Sequence, residues 1–403
     1  MVPQGHMIVV VAHQGTGLRF LKADLAGRPF ASHLPAKLLS LQERGAVVID
    51  IENPFPGQPN TVDAELVDSH DLLLVAADAW FSAAALEQLL SLIAMNRGMA
   101  KSICGEGKEI EDRDEQDALA VYLPARAAAI LLDRHGLPVL GQGLANVSRG
   151  LDCNVIPGRA LDPVRPPVRI KNLLDLAILE RSILHERACA ALLTGIRIRD
   201  PDRIEIRGEL RCGSGVEIDV NVIIEGTVTL GEGVKIGANS ILTNSTIGSN
   251  TRVHPFSIVE DAVIGSNTII GPYGRVRPGS IIGDSAQIGN FVEIKNSEVG
   301  SGSRINHLAF IGDAKLERNV TIGAGSITCN HNGVGVSRTE IKAGAYVGSG
   351  CKLVAPLSIG ENATIGAGST ITRDAPAGKL TLARSRQVTV ENWTRVDNRS
   401  DDA

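Results

Sequence analysis

Aliphatic residues recur about every six positions through the second half of the chain, often followed by glycine. They fall into groups of three, and the step between groups is usually five or six residues. A half-buried strand has period two and an amphipathic helix has period 3.6, so a period of six indicates another architecture. The groups are Leu230, Ile236 and Leu242; Ile247, Val253 and Val259; Ile264, Ile270 and Val276; Ile282, Ile288 and Ile294; Val299, Ile305 and Ile311; Leu316, Ile322 and, in the third place, Thr328; Ile341, Val347 and Leu353; and Ile359, Ile365 and Ile371.

Three six-residue sides predict a triangular coil with one aliphatic side chain per side pointing inward. Such a coil needs neighbours to bury its core, so the coils stack. Glycine and asparagine at the corners suit the tight backbone there. We therefore predict a left-handed parallel β-helix of hexapeptide repeats from about Arg211 to Thr372, in a domain of residues 206–375.

The repeat is interrupted once, at Cys329–Glu340, where the aliphatic register is lost. Asn330, Asn332, Gly333 and Gly335 are typical of a loop. Loops on a rigid scaffold often carry function, and an insertion without consequence is the alternative.

The first part of the chain, residues 7–164, has a different pattern. Ile8–Ala12 and Leu72–Ala76 are predicted strands, and Ala83–Met95 and Gln116–Arg134 are predicted helices. Strands that alternate with helices favour an α/β domain with a Rossmann-type parallel sheet.

The remaining segments are a connector of residues 165–205, with a predicted helix at Asn172–Leu193, and a C-terminal tail of residues 376–403. Met1–His6 (MVPQGH) is expected to be a cloning leader, so the natural chain is taken to start at Met7.

Composition excludes several classes of protein. The formal net charge is −5 and no long basic run occurs, so a nucleic-acid partner is not expected. No apolar stretch reaches the roughly 18 residues that a membrane span needs, and no signal peptide is evident. The six cysteines are scattered without a CxxC pair, which favours reduced thiols in a cytoplasmic protein and no zinc site.

Four polar residues do not suit a plain β-helix. Arg277 and Lys295 are about one coil apart, so they can stack on one side, where two cations need an anion or a carboxylate. They are either a phosphate clamp or solvated surface charges. His307 lies between Asn306 and an aliphatic run, where a lone histidine is more often structural, and Asn330, near the start of the interruption, is a typical turn residue.

The segment Val216–Arg386 closely resembles the acetyltransferase domain of the bacterial bifunctional N-acetylglucosamine-1-phosphate uridylyltransferase/glucosamine-1-phosphate acetyltransferase family. The resemblance rests on the stretches VEIDVNVIIEG (216–226), GPYGRVRPG (271–279), GNFVEIKNSEVGSGS (289–303), HLAFIGDA (307–314), VTIGAGSITCN (320–330) and YVGSGCKLVAP (346–356), and on LLDLAILER (173–181) and RDPDRIEIRG (199–208) in the connector.

This resemblance implies an acetyl-CoA-dependent N-acetyltransferase for an amino sugar, with no metal needed for acetyl transfer. His307 matches the general base, and Arg277 and Lys295 match the residues that hold the sugar phosphate. The family also implies a homotrimer with sites between neighbouring subunits. The positions that match the acetyl group and the acetyl-CoA site are Ala324, Asn330, His331 (where the family has tyrosine), Ser349, Ala367 and Arg384.

The acceptor side departs from the family pattern. Phe310 replaces a tyrosine that contacts the sugar phosphate, and Thr321 replaces an asparagine. Val336 aligns with a phosphate-directed lysine, although Arg338 lies two residues away. The acceptor is therefore expected to be glucosamine-1-phosphate-like but not necessarily the same sugar.

The first domain resembles a truncated nucleotidyltransferase. VVVAHQGTGLRF (9–20) retains Gly15, Gly17 and Arg19 of a phosphate-binding loop with altered spacing. Asp78 resembles one metal residue, and the second falls at Lys171 or Asn172. We expect uridylyl transfer to be lost.

Three alternatives compete with this prediction: a bifunctional enzyme that makes UDP-N-acetylhexosamine, a non-catalytic β-helical scaffold or regulator, and a γ-type carbonic anhydrase. Because the last needs a triad of histidines, the spacing of His254, His307 and His331 speaks against it.

Overall fold

The computed structural model describes residues 7–12, 24–25, 28–29, 47–50, 71–76, 79–81, 83–95, 101–104, 118–123, 154–157, 168–170 and 172–393. Gly15, Gly17, Arg19, Asp78 and Lys171 lie outside these residues, as do the expected leader and residues 394–403 of the tail. The chain divides into two compact units, Met1–Ile183 and Leu184–Ala403.

The first unit contains a six-stranded sheet. Its strands, in spatial order, are Val47–Asp50, Met7–Ala12, Asp71–Ala76, Ala118–Leu123, Lys101–Cys104 and Asn154–Pro157. Short strands also form at Asp24–Leu25 with Arg28–Pro29, and at Ala79–Trp80 with Val168–Arg169. Helix α1 spans Ala83–Met95, as predicted, and buries Ala85, Leu89 and Ile93.

Two predictions for this unit are wrong in part. Ala118–Leu123, within the range predicted as a helix at Gln116–Arg134, is a strand, and the rest of that range lies outside the described residues. This strand is antiparallel to both neighbours, so the sheet is mixed and not parallel throughout. Ala120, Val121 and Tyr122 are all buried, and periodicity cannot distinguish such a continuous apolar run from a buried helix.

Helix α2 spans Leu173–Leu193 and confirms the connector helix. Its first turn is capped by Asn172, whose side-chain oxygen accepts hydrogen bonds from the backbone N–H groups of Leu174 (2.9 Å) and Asp175 (3.0 Å). The Asn172 oxygen is therefore used for capping. No helix in the described ranges is long and apolar enough to cross a membrane.

The second unit is a β-helix of three parallel sheets, as predicted from the six-residue period. All the aliphatic residues of the predicted groups are buried, and so is Thr328 in the third place. The coils extend beyond the predicted limits, because Arg197–Ile198 begins the first coil and Leu380–Thr381 ends the last.

We number the three sheets as faces in the order in which the chain visits them. Face 1 consists of Arg197–Ile198, Glu217–Ile218, Lys235–Ile236, Arg252–Val253, Ile269–Ile270, Gln287–Asn290, Arg304–His307, Thr321–Ile322, Tyr346–Val347, Thr364–Ile365 and Leu380–Thr381. Face 2 consists of Ile204–Ile206, Val222–Glu225, Ile241–Thr243, Ile258–Glu260, Arg275–Val276, Glu293–Lys295, Phe310–Gly312, Ile327–Cys329, Lys352–Val354 and Thr370–Ile371. Face 3 consists of Glu209–Cys212, Thr227–Leu230, Thr246–Ile247, Val263–Ile264, Ile281–Ile282, Glu298–Val299, Ala314–Leu316, Thr339–Ile341 and Leu357–Ile359.

A buried residue, often serine, threonine or alanine, usually lies two positions before the aliphatic residue of each side, and several of the hydroxyl groups bind the backbone of the next coil. Thr251 Oγ1 donates to the carbonyl of Gly265 at 2.7 Å and accepts from the N–H of Thr268 at 3.0 Å. Ser303 Oγ makes the same pair of contacts, with Glu317 O at 3.0 Å and Val320 N at 3.1 Å. These bonds fix the stacking of one coil on the next, which positions the polar residues at the corners.

Candidate active site at two corners of the β-helix

A single column of residues follows the corner between face 1 and face 2. His307, Ala324, Ser349 and Ala367 each lie two residues after a buried aliphatic residue of face 1, and those aliphatic residues pair in register. Backbone hydrogen bonds join the column: Gly350 N–H donates to Ala324 O at 2.7 Å, and Gly368 N–H donates to Ser349 O at 2.8 Å. We call Asn290, His307, Ala324, Ser349 and Ala367 the histidine corner.

The histidine corner gives His307 a defined partner. His307 Nδ1 lies 2.6 Å from Oδ1 of Asn290, the residue beside it in the neighbouring strand. An amide oxygen only accepts, so Nδ1 carries the hydrogen in this arrangement and Nε2 keeps its lone pair. His307 is exposed, so a small molecule can reach the ring. This is the tautomer that a general base requires.

Arg384 joins the same corner from the C-terminal tail. Its guanidinium donates from Nη1 to the carbonyl of Ala367 at 3.2 Å, and the residue is exposed. A guanidinium held in this way remains able to bind a phosphate group. Thr321, by contrast, lies on face 1 between Arg304 and Tyr346, one coil from the strand that carries His307.

A second set of polar residues lies at the other edge of face 2, beside face 3. Asn296, Asp313 and Asn330 follow successive face 2 strands, and Asp313 accepts hydrogen bonds from both asparagines, from Asn296 at 2.6 Å. Lys295 Nζ lies 3.8 Å from Asp313 Oδ2. We call Lys295, Asn296, Asp313 and Asn330 the loop corner.

Asp313 holds the loop corner together as an ionised carboxylate. Its side chain is 12% exposed. Burial alone would raise the pKa of this carboxyl, but the hydrogen bonds from Asn296 and Asn330 and the charges of Lys295 and Arg338 outweigh burial and keep the pKa below its ordinary value. Asp313 therefore neutralises Lys295 and anchors Asn330 near the start of the excursion.

Residues 330–338 of the excursion form a compact, mostly exposed loop, in agreement with the break in the repeat, whereas its ends, Cys329 and Thr339–Glu340, belong to strands of face 2 and face 3. His331 and Val336 form an antiparallel bridge, and Asn332 Oδ1 accepts from the N–H groups of Val334 (3.0 Å) and Gly335 (2.8 Å). His331 Nδ1 accepts from Gly333 N at 3.0 Å. Val334 is 96% exposed at the tip, so this loop offers an apolar contact to whatever lies beside it.

Arg277 and Lys295 stack at the ends of neighbouring face 2 strands, as their spacing predicted, because their preceding residues Val276 and Ile294 pair in register. Each has a carboxylate partner: Arg277 Nη1 lies 2.8 Å from Glu293 Oε1, and Lys295 faces Asp313. The carboxylates explain how two cations can lie on neighbouring strands. Arg338 is itself paired with Glu298 on face 3 at 2.7 Å, so it is engaged away from Arg277.

Phe310 begins the face 2 strand between the two corners. Its ring covers Gly312, where an added Cβ would lie 2.6 Å from the ring atom Cζ and 3.0 Å from Asn330 Nδ2. The ring therefore shapes the surface beside Asn330 without offering a hydroxyl. Val336, at 54% exposed, likewise offers no charge.

Most of the predicted site residues thus fall into two sets. His307, Ala324, Ser349 and Ala367 lie in the histidine corner, where Arg384 joins them, whereas Lys295 and Asn330 lie in the loop corner and His331 follows in the excursion. Arg277, Phe310 and Thr321 belong to neither set. Sequence reasoning missed Asn290 and Asp313. Their signal is the coil length: Asn290 and His307, and Asp313 and Asn330, are 17 residues apart. No group of three or more potential metal ligands occurs among the residues that the structure describes.

The β-helix region is similar to known protein families. The family model described as the GMPPB C-terminal domain matches residues 206–307, and the family model of the bacterial transferase hexapeptide (six repeats) matches residues 338–373. The "Bifunctional protein GlmU" of Janthinobacterium sp. (strain Marseille) is 49% identical over 228 residues, 56% of this chain and 50% of that protein. The protein of the same name from Herminiimonas arsenicoxydans is 50% identical over 226 residues, again 56% of this chain and 50% of that protein.

The chain thus spans about half the length of the curated relatives that it matches. Among solved structures, the UDP-N-acetylglucosamine acyltransferase of Francisella novicida overlaps with a TM-score of 0.22 at 19% identity, over 45% of this chain and 66% of that chain. The C-terminal region of this chain is homologous to the bifunctional GlmU proteins and carries the bacterial transferase hexapeptide repeat.

Proposed function

We propose that this protein is an acetyl-CoA-dependent N-acetyltransferase that acts on a phosphorylated amino sugar in the cytoplasm. The observation that carries the proposal is the His307–Asn290 hydrogen bond at 2.6 Å, in one column with Ala324, Ser349 and Ala367. The likeness to the GlmU proteins supports acyl transfer in general. We infer the amino-sugar substrate and the role of His307 as base from the residues that match the family's positions and from the chemistry of the histidine corner.

The chemistry follows from what an amine needs in order to react with a thioester. His307 Nε2 takes a proton from the substrate amine as its nitrogen attacks the acetyl carbonyl. The C–N bond forms, the C–S bond breaks, and the CoA sulfur leaves as a thiol after taking up a proton. Donors near Ala324 and Ser349 stabilise the oxyanion, and Arg384 binds a CoA phosphate.

We further propose a homotrimer in which each site combines the histidine corner of one subunit with the loop corner of the next. Within one chain the two sets lie at opposite edges of face 2, and Asn330 is bound to Asp313 and not to His307. An acetyl-transfer centre that uses both sets requires a second copy. The exposed Val334 at the loop tip supports such a contact.

The test is acetyl-CoA turnover with a panel of amino sugars, measured as free CoA thiol. We expect turnover with glucosamine-1-phosphate or a related amino-sugar phosphate, and at most slow turnover with the unphosphorylated sugar. Absence of turnover with every acceptor, together with no acetyl-CoA binding by calorimetry, would overturn the proposal in favour of a scaffold. Pyrophosphate release from UTP and N-acetylglucosamine-1-phosphate would instead show that uridylyl transfer is retained.

Replacing Arg277 by alanine is expected to raise the acceptor KM by about tenfold to a hundredfold, because a charged hydrogen bond contributes about 1.5–3 kcal/mol. The change in kcat should be small, since the phosphate is remote from the reacting amine. Lys315→Ala is the matched control: Lys315 is also paired with a carboxylate (Glu298, 3.3 Å) but lies on face 3. An unchanged KM in Arg277→Ala would mean that the acceptor is not held by its phosphate there.

A further inference from the structure

Three polar side chains meet where helix α2 approaches the first coil. His185 and Cys189 are one helical turn apart, so they lie on the same side of α2. Asp202 lies in the short 3₁₀ helix Pro201–Arg203, where its N–H donates to the Asp200 side chain at 3.0 Å. His185 Nδ1 is 2.7 Å from Asp202 Oδ1, and Cys189 Sγ is 3.3 Å from His185 Nε2.

The order of these contacts fixes the role of the imidazole. An ionised carboxylate only accepts hydrogen bonds, so Nδ1 of a neutral His185 donates to Asp202. Nε2 then has the lone pair, and the Cys189 thiol donates to it. Cys189 as nucleophile, His185 as base and Asp202 as the residue that orients the base are thus linked by hydrogen bonds. This is the arrangement of an activated thiol.

The surroundings of this cluster make the thiol accessible to small reagents. The side chains of His185 and Asp202 are 44% and 69% exposed, and Cys189 is half-buried. Cys351 is fully buried in the β-helix core. Burial raises the pKa of the Cys212 thiol to about 11, so that thiol stays protonated at neutral pH.

The position of Cys189 on the helix makes its reactivity depend on His185. Cys189 lies four residues before the C-terminal end of α2, where the helix dipole disfavours a negative charge. Activation of the Cys189 sulfur therefore depends on its contact with His185 and not on the helix end. The cluster is separate from the histidine corner, so the inference does not rest on acetyl transfer.

We propose that Cys189 is a nucleophilic modification site that forms a mixed disulfide with a low-molecular-weight disulfide. The Cys189 thiolate attacks one sulfur of the reagent, a new S–S bond forms, and the original S–S bond breaks. The leaving thiolate takes the proton held by His185. The reagent is the oxidant: one disulfide is consumed, and one free thiol and one mixed disulfide are produced.

The experiment uses oxidised glutathione as the probe on the full chain at pH 7.5. Reaction is stopped with acid, and the rate at each cysteine is measured by peptide mass spectrometry. We expect Cys189 to react at least about tenfold faster than Cys212, since the fraction of thiolate controls the rate. Dithiothreitol should reverse the modification.

The variants His185→Gln and Asp202→Asn assign the cause. We expect His185→Gln to slow reaction at Cys189 by about tenfold or more, and Asp202→Asn to slow it less. His254→Gln is the control, since His254 directly follows the face 1 strand Arg252–Val253 in another coil, and it should leave the rate unchanged. Because Asp202 is largely exposed, its variant keeps the test usable if His185→Gln does not fold. Slow reaction at Cys189 in the wild type, or a rate unaffected by both variants, would overturn the proposal.

Discussion

Replacing His307 by alanine is expected to lower kcat for acetyl transfer by about 10²- to 10⁴-fold, which is the usual contribution of a general base. The amine of the acceptor is protonated in water and must lose a proton to react. In the histidine corner, His307 is oriented by Asn290 so that Nε2 is left to take that proton. The side chain is exposed, so its removal leaves the core of the β-helix intact.

Steady-state assays of CoA release, at saturating acceptor and acetyl-CoA, measure this effect. Asn290→Ala should lower kcat by a smaller factor, about tenfold, because it disturbs the orientation of the ring and not the base itself. His254→Ala, a histidine on another coil, should retain wild-type kcat. A folded His307→Ala protein with wild-type turnover would show that another group takes the proton.

Replacing Gly289 by alanine is expected to destabilise the β-helix by roughly 3 kcal/mol or more, at the upper end of the range for overpacked sites. A Cβ at Gly289 would lie 2.0 Å from the backbone oxygen of Asn306 in the next coil. Backbone cannot move aside as a flexible side chain can. The displaced strand would be Arg304–His307, so activity should fall together with stability.

The matched control is Gly335→Ala in the excursion, where an added Cβ meets nothing within 4 Å. The free energy of unfolding of this variant should lie within about 0.5 kcal/mol of that of the wild type. Thermal unfolding at one protein concentration compares the two, because a trimer would make the midpoint depend on concentration. Equal midpoints for Gly289→Ala and the wild type would contradict the close approach of these coils.

The fold of the second unit was predictable because the spacing of aliphatic residues in a β-helix sequence shows which positions are buried. An aliphatic residue points inward about every six positions, so Ile305, Ile322 and Val347 could be assigned to the core, and Thr328 in a third place is buried as well. The mixed sheet of the first unit was harder to predict from the sequence. The run ALAVYL is apolar at every position, and such a run fits a buried strand or a buried helix equally well.

The candidate site was predictable only where a residue type is unusual for its position. His307, Arg277 and Lys295 are conspicuous in a coil of small and aliphatic residues. Asn290 and Asp313 are not, because asparagine and aspartate are ordinary corner residues. Their importance comes from partners one coil away, as in the hydrogen bonds to His307 and Asn330.

The regular stacking of coils makes distance along the axis independent of distance along the sequence. Neighbouring strands are about 4.8 Å apart, so the three steps from His307 to Ala367 measure about 14 Å. Neighbouring coils are usually joined by contacts 17 or 18 residues apart, yet Ser326 and Cys351, on either side of the excursion, are 25 apart. The excursion can therefore lengthen or change its tip without altering the distance along the axis between His307 and Ala367. Insertion of one whole coil between them would increase that distance by one strand spacing.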